Sequence, residues 1–454
     1  VLLTLSLSKG EVCPPARRFL GGMPRAKCRV PCYEGSGFEG FLPMSTKAPR
    51  AGFTRYQVFV VAALAFLQFT LILDFMIISP LGAMMMPDLH MSPQQFGLAV
   101  SSYAFAAGLS GIVAAGFADR FDRKRLLLFF YAGFMLGTLL CALANTYHLL
   151  LAARIVTGLF GGVIGSIVLA IATDLFDFQM RGRVMGYIQT AFAASQVLGL
   201  PAGLYFANHW SWHAPFLAII AVAVPAGLII AFGMKPVAAH LTLRQERSPF
   251  MHLAHTVSDR RYWLAFLLTM LLPTGGYMLM PFGTAYMVHD IGLPMAVLPT
   301  IYLVTGLSTV FVGPVVGKAA DRFGKFNTFL FGSIVTVIMV LVWTSLGHEP
   351  LWVVILVNVL LFAGIFSRMI PAQALVSAIP EVTKRGAFNA ISASLQQLAG
   401  GVSAAVAGAV IVEAADGAIL HFNWLGYIVM CTTVMSLALM YFVHRQVPEP
   451  DSHP

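Results

Sequence analysis

Apolar runs of about 20 residues alternate along the chain with short polar or turn-forming stretches, the pattern of helices long enough to cross ~30 Å of hydrocarbon. From Gln57 onward the runs fall at roughly 57–86, 95–118, 126–146, 149–173, 184–208 and 215–234. A polar stretch from Lys235 to Arg261 follows, then runs at 262–288, 293–317, 326–347, 351–379, 386–412 and 423–443. The pattern predicts an all-α membrane protein of 12 transmembrane helices in two six-helix halves. Its segments are an amino-terminal stretch 1–55, a first half 56–234, a linker 235–261, a second half 262–444 and a tail 445–454.

Composition agrees with this reading. Of 454 residues 58% are hydrophobic and 10% charged, with a mean hydropathy of +0.80, whereas a soluble domain carries about 25% charge. A soluble enzyme is thereby excluded. The formal charge of +9 sits in short clusters between the apolar runs, which membrane topology explains better than nucleic-acid binding. From Lys47 onward every Lys and Arg lies on the side that carries the amino terminus, except Arg154 and Arg368 inside helices. This asymmetry predicts a multi-pass protein of the plasma (inner) membrane with both termini and the linker in the cytoplasm.

Residues 1–43 are rich in proline and lack a helical period, and Val1 to Leu7 has no preceding basic stretch, so it makes a poor signal peptide. Met44-Ser45-Thr46-Lys47 reads as a natural amino terminus, with 1–43 an upstream extension. Cys13, Cys28, Cys32, Cys141 and Cys431 form neither a disulfide framework nor a four-ligand metal set. No Gly-Lys-Ser/Thr phosphate loop or HExxH spacing is present, so no cofactor, metal or ATP is implied.

The two halves repeat one another. Ala115-Gly116-Phe117-Ala118-Asp119-Arg120-Phe121-Asp122-Arg123-Lys124 follows the second run, and Gly317-Lys318-Ala319-Ala320-Asp321-Arg322-Phe323-Gly324-Lys325 follows the eighth, 202 positions later (321 − 119). Arg181-Gly182 and Arg385-Gly386 recur at 204 (385 − 181), which relates the halves as a parallel repeat.

On these residues the chain resembles the major facilitator superfamily of secondary transporters, from about Arg55 to Arg445. The Asp-Arg-x-Gly-Arg/Lys loop is well kept in Asp321-Arg322-Phe323-Gly324-Lys325, while the first copy has Ala115 and Asp122 at glycine positions. Leu150 to Gly162 resembles the arginine motif of the fourth helix, with Arg154 and Gly158 in place and Thr157 where glutamine is common. Gly199-Leu200-Pro201-Ala202-Gly203 resembles a degenerate antiporter glycine-proline motif, with Ser195 at its leading glycine. Together these resemble the twelve-span drug:proton antiporters and sugar-efflux proteins. The resemblance implies a gate on the cytoplasmic side made of Asp119, Arg120, Arg123, Asp321, Arg322, Arg181 and Arg385. There a carboxylate meeting a positive helix end is favoured by ~0.3–1 kcal/mol.

Asp74 is the one carboxylate well inside an apolar run. A charged aspartate at that depth costs ~2.5–3.5 kcal/mol or more unless it is protonated, paired or beside water. Counting ~1.5 Å per residue from the outer helix ends puts Asp74 roughly 14–18 Å deep and Arg154 about 8 Å deep, a gap an arginine side chain spans. The pair is read either as a proton site, with protonation of Asp74 releasing Arg154, or as a fixed lock between two helices. Arg368, three residues before Pro371, is a second buried cation. It is read either as a substrate anchor for a carboxylate, phosphate or dense hydroxyls, or as a partner of backbone carbonyls freed by the proline. Tyr103, Gln189, Gln196, Asn358, Gln396 and Gln397 are uncharged polar groups for a central cavity or for hydrogen bonds between helices, with one member of the Gln396-Gln397 pair facing helices.

These features predict efflux of a small organic solute, such as a drug or a sugar, by proton antiport and alternating access. The partners are the substrate, protons and the bilayer, with no nucleic acid, and the working state is a monomer. Proton symport or facilitated uptake on the same fold is the alternative, and a non-transporting sensor or scaffold a more distant one.

Overall fold

The computed structural model describes residues 53–238, 241, 249–381, 384–414 and 418–446. The expectations for residues 1–43 and Met44 lie outside the described residues. Helix starts follow local chemistry. α1 (Arg55–Asp88) begins at Thr54, which accepts a hydrogen bond from the Gln57 backbone while Gln57 caps Thr54 in return. α2 (Pro93–Ala115) repeats the device with Ser92 and Gln95, and has Pro93 in its first turn. Asp122 caps α3 (Arg123–Ala142) and Thr146 caps α4 (Tyr147–Leu175).

α5 runs from Phe178–Ala194 through a π turn at Ser195–Gly199 into Leu200–His209. The bulge sits just ahead of Pro201, whose ring and missing N–H disturb the preceding turn. α6 (Ala214–Gly233) closes the first half. Within the linker a helix forms at Pro249–Ser258, an element the sequence reading did not anticipate. α7 is Trp263–Leu271 and Thr274–His289, interrupted at Leu272-Pro273. α8 (Leu298–Phe323), α9 (Lys325–Trp343), α10 (Leu351–Ala378), α11 (Arg385–Val410) and α12 (Phe422–Gln446) complete the second half. A short antiparallel ladder, β1 (Val412–Glu413) on β2 (Ile419–Leu420), bridges α11 to α12.

Ten of these segments are apolar and long enough to cross a membrane by length and composition. The other two are α5, broken by its π turn, and α11, diluted by Ser392, Ser394, Gln396 and Gln397. Twelve membrane helices in two halves result.

Close packing within each half relies on small residues. A Cβ at Gly158 or Gly162 of α4 would run into the α2 backbone at Tyr103 and Ala107, so the two helices meet backbone to backbone. Between the halves the packing is uneven. One buried apolar cluster joins both halves away from the termini, including Ile77, Leu81 and Phe96 with Phe282, Leu298 and Trp343. Toward the termini there are instead two separate clusters, one drawn from α1, α3, α4, α5 and α6 and the other from α7, α9, α10, α11 and α12. Glycines near that end (Gly165, Gly182, Gly317 and Gly386) face open space. The buried apolar packing between the halves is therefore concentrated at the end remote from the termini, while α2 and α11 also meet at Gly108, Gly111 and Ser394.

Candidate functional site

The two deep charges expected to meet do so. Arg154 Nη1 donates to Asp74 Oδ2 at 3.1 Å, with both side chains 0% exposed. Thr138 of α3 donates its hydroxyl to Asp74 Oδ1 at 2.9 Å. Asp74 thus joins three helices of the first half. Both its oxygens are satisfied, which a carboxylate in hydrocarbon requires. Arg154 is less settled. Among the described residues its Nε and Nη2 find no hydrogen-bond partner, and its guanidinium lies 4.5 Å above the Tyr103 ring, an arrangement worth ~0.5–2 kcal/mol. Cys141 borders the same pocket, its Sγ 3.9 Å from the Thr157 hydroxyl.

From this pair an aromatic chain leads to the other half. Tyr103 packs on Phe75 with ring centroids 5.3 Å apart, and Phe75 on Tyr277 of α7 at 5.5 Å. Tyr277 donates its hydroxyl to Gln397 Oε1 of α11. The expectation that one member of the glutamine pair faces helices corresponds to Gln397, and Gln396 is half-buried beside it. Gln196 is buried in the π turn of α5, where the backbone packs on Gly306 of α8, while Gln189 is exposed. Asn358 is buried and returns its amide to its own helix at Val354 O, 2.9 Å away.

Arg368 departs from the cavity expectation. Its Nη2 donates to Ser436 Oγ of α12 at 2.8 Å, and its guanidinium lies 5.7 Å from the Phe329 ring of α9. Phe366, two residues away and so about 200° around the helix, is the side chain that meets α5 at Phe192. Arg368 therefore points into the second half, away from the face shared with the first. The sequence could not decide this, because α10 is apolar on all sides and shows no preferred face.

Three of the gate residues are satisfied within their own halves. Arg123 Nε pairs with Asp174 Oδ2 at 3.3 Å and its Nη1 donates to Ala118 O. Arg181 donates to Phe176 O and Thr173 O, and Arg385 to Pro380 O. Arg120, Asp321 and Arg322 are exposed, with Arg322 over the Phe323 ring at 5.4 Å; the Asp119 side chain lies outside the description. The sequence reading missed two carboxylates, Asp174 in the first half and Asp259 in the linker. The Arg261 backbone N–H beside Asp259, helped by Lys384 at 3.4 Å, holds its carboxyl below the usual range. Thr138, Phe75 and Tyr277 were missed as well. The only signal for Thr138 was its being a polar residue in an apolar run, and for the two rings there was none.

The sequence pattern that defines the Major Facilitator Superfamily matches residues 64–404. The MFS-type transporter YceJ of Bacillus subtilis is 26% identical over 263 residues, covering 58% of this chain and 66% of that protein. Multidrug resistance protein 3 of the same organism is 31% identical over 138 residues, covering 30% of this chain and 26% of its own length. Among solved structures, a bacterial homologue of the human lysosomal transporter Spinster superimposes with a TM-score of 0.69 at 15% identity, over 88% of this chain and all of that one. At that identity the likeness is one of fold.

Proposed function

The chain belongs to the major facilitator superfamily, and from that premise we propose that it is a proton-coupled exporter of a small organic solute, with Asp74 as the proton carrier and Arg154 as its partner. Membership already makes it a transporter embedded in a membrane and acting on a small molecule. The finer reading rests on one observation, the fully buried Asp74–Arg154 pair with two arginine donors left over. With Asp74 charged, the pair is neutral and tolerated at depth. With Asp74 charged, the carboxylate also holds Nη1 so that Nε and Nη2 are presented to a substrate, and with Asp74 protonated that hold and the donor arrangement are lost. Proton and substrate then compete for one arrangement of the pair, which is the requirement for antiport.

The terminus-bearing end is read as cytoplasmic, on the positive-inside distribution of Lys and Arg. The protein sits in the plasma (inner) membrane as a monomer, with the linker 235–261 between two half-domains. Asp119, Arg120, Arg123, Asp321, Arg322, Arg181 and Arg385 close this end when helix termini of one half reach the aspartates of the other. Tyr103, Gln189, Gln196 and Gln396 serve the cavity; Gln397 positions Tyr277, and Asn358 and Arg368 serve the packing of the second half. Export is favoured over uptake by the multidrug relative, while the degeneracy of the glycine-proline pattern of α5 keeps uptake as the alternative.

A second reading has its own support, since both Asp74 oxygens are satisfied as they would be in a permanent lock. Proteoliposomes separate the two. Under an imposed pH gradient the wild type should concentrate at least one member of a panel of cationic dyes, sugars and organic acids. Asp74→Asn should lose that uphill transport while still exchanging the same compound at equal pH. A variant that folds and still concentrates the compound would remove Asp74 from coupling.

A further inference from the structure

Asp74 and Arg154 are 0% exposed and Tyr103 is 4% exposed, while Phe75 and Tyr277 are half-buried. Exposure thus rises in the order in which these groups lead from the ion pair toward the second half. Thr138 and Cys141 lie on the opposite side of the pair, inside the first half. Tyr103 covers the guanidinium, Phe75 covers Tyr103, and Tyr277 covers Phe75 from α7. Tyr277 is the first member of this stack that belongs to the second half, and its hydroxyl is held by Gln397 of α11. At Gly400, one turn along α11, a Cβ would strike the Tyr277 ring, so α11 is shaped to let the ring lie against it.

We propose that Phe75, Tyr103 and Tyr277 form an aromatic seal over the Asp74–Arg154 pair, in which Tyr277 is the positioning residue that admits water to Asp74 only when the halves move. The seal deepens the reading of Asp74 as proton carrier and rests on it for its purpose, though not for its existence. Two rings travel with the first half and one with the second. Any movement of α7 and α11 relative to α1 and α2 therefore uncovers the stack from the Tyr277 side. A carrier needs such a barrier, because a carboxylate wetted from both sides would let protons pass without substrate.

Cys141 supplies a reporter that does not depend on transport. In full-length protein with Cys13, Cys28, Cys32 and Cys431 changed to Ser, alkylation of Cys141 by N-ethylmaleimide reads water access to the pocket. Tyr277→Ala should raise the alkylation rate roughly three- to tenfold, the factor by which losing one aromatic pair shifts an opening equilibrium. Tyr277→Phe, which keeps the ring, should stay nearer the parent. If Tyr277→Ala does not fold, Gln397→Ala releases the hydroxyl while sparing the ring and should shift the rate in the same direction. An unchanged Cys141 rate in folded Tyr277→Ala overturns the seal.

In vesicles without substrate, Tyr277→Ala should leak protons, and adding Asp74→Asn should stop the leak. A leak that persists in the double variant overturns the claim that the seal guards Asp74. A raised Cys141 rate with no leak upholds the seal and counts against Asp74 as proton carrier, so the two readings fail separately.

Discussion

Substituting the two members of the buried pair should have unequal consequences for stability if Asp74 is a working proton site. Asp74→Asn resembles the protonated carboxyl. Its oxygen still accepts from Thr138, at 2.9 Å in the wild type, and Arg154 keeps its place over Tyr103 at 4.5 Å. What is lost is one charge-assisted bond from Nη1, next to Nε and Nη2 that already lack partners. A loss of about 3–5 kcal/mol is expected, because the guanidinium is left buried without its counter-charge and does not deprotonate. Arg154→Gln instead leaves Asp74 with only Thr138 as donor, and the carboxyl escapes the cost of a buried charge by taking up a proton, so about 1–2 kcal/mol is expected. The double variant should cost less than the sum of the singles, because no charge is left buried. Reversible unfolding of purified protein in mixed detergent and SDS micelles measures all three. Equal losses of about 3–5 kcal/mol for both single variants would refute the reasoning and mark the pair as a fixed lock.

Other expectations follow from particular contacts. Arg368→Met should remove the bond to Ser436 and lower stability, by about 1–3 kcal/mol, while leaving the substrate preference of vesicle transport unchanged; an altered preference would return Arg368 to the cavity. Gly97→Val would push a side chain into the α11 backbone, where even a Cβ lies 2.8 Å from Ala404 O. It should wedge the halves apart at the end remote from the termini, seen as increased labelling of a cysteine placed there. Asp259 is held below its ordinary range by Arg261 N–H and Lys384. Its contribution to stability is therefore present above the ordinary aspartate value and fades as pH falls through the lowered one. Lys384→Ala should shrink this acid-side loss in thermal unfolding curves collected between pH 6 and 3.

The membrane accounts for what was legible in the sequence. A bilayer demands about 20 apolar residues per crossing and sorts Lys and Arg to one side, so twelve helices and their repeat could be read directly. It makes buried charge so costly that Asp74 and Arg154 drew attention from opposite ends of their helices. The same uniformity hid the rest. In α1, α4 and α10 an apolar surface on every side gives no sign of which face meets which neighbour, and so Arg368 was assigned to the cavity although it faces α9 and α12. Phe75 and Tyr277 are two among 35 Phe and 13 Tyr, and only their stacking on Tyr103 distinguishes them. Pro201 and Pro273 stand at the interruptions of α5 and α7, whereas Pro80, Pro225, Pro281, Pro314 and Pro371 lie inside continuous helices.

Proton release on binding tests the central claim most directly. Purified protein in weakly buffered detergent solution with a pH indicator dye would be mixed with whichever compound of the vesicle panel is transported best. If proton and substrate compete through Asp74, binding to the wild type releases protons into solution, and Asp74→Asn, which resembles the protonated carboxyl, binds more weakly and, at saturating compound, releases none. Equal release from both proteins, or none from either, would contradict the account.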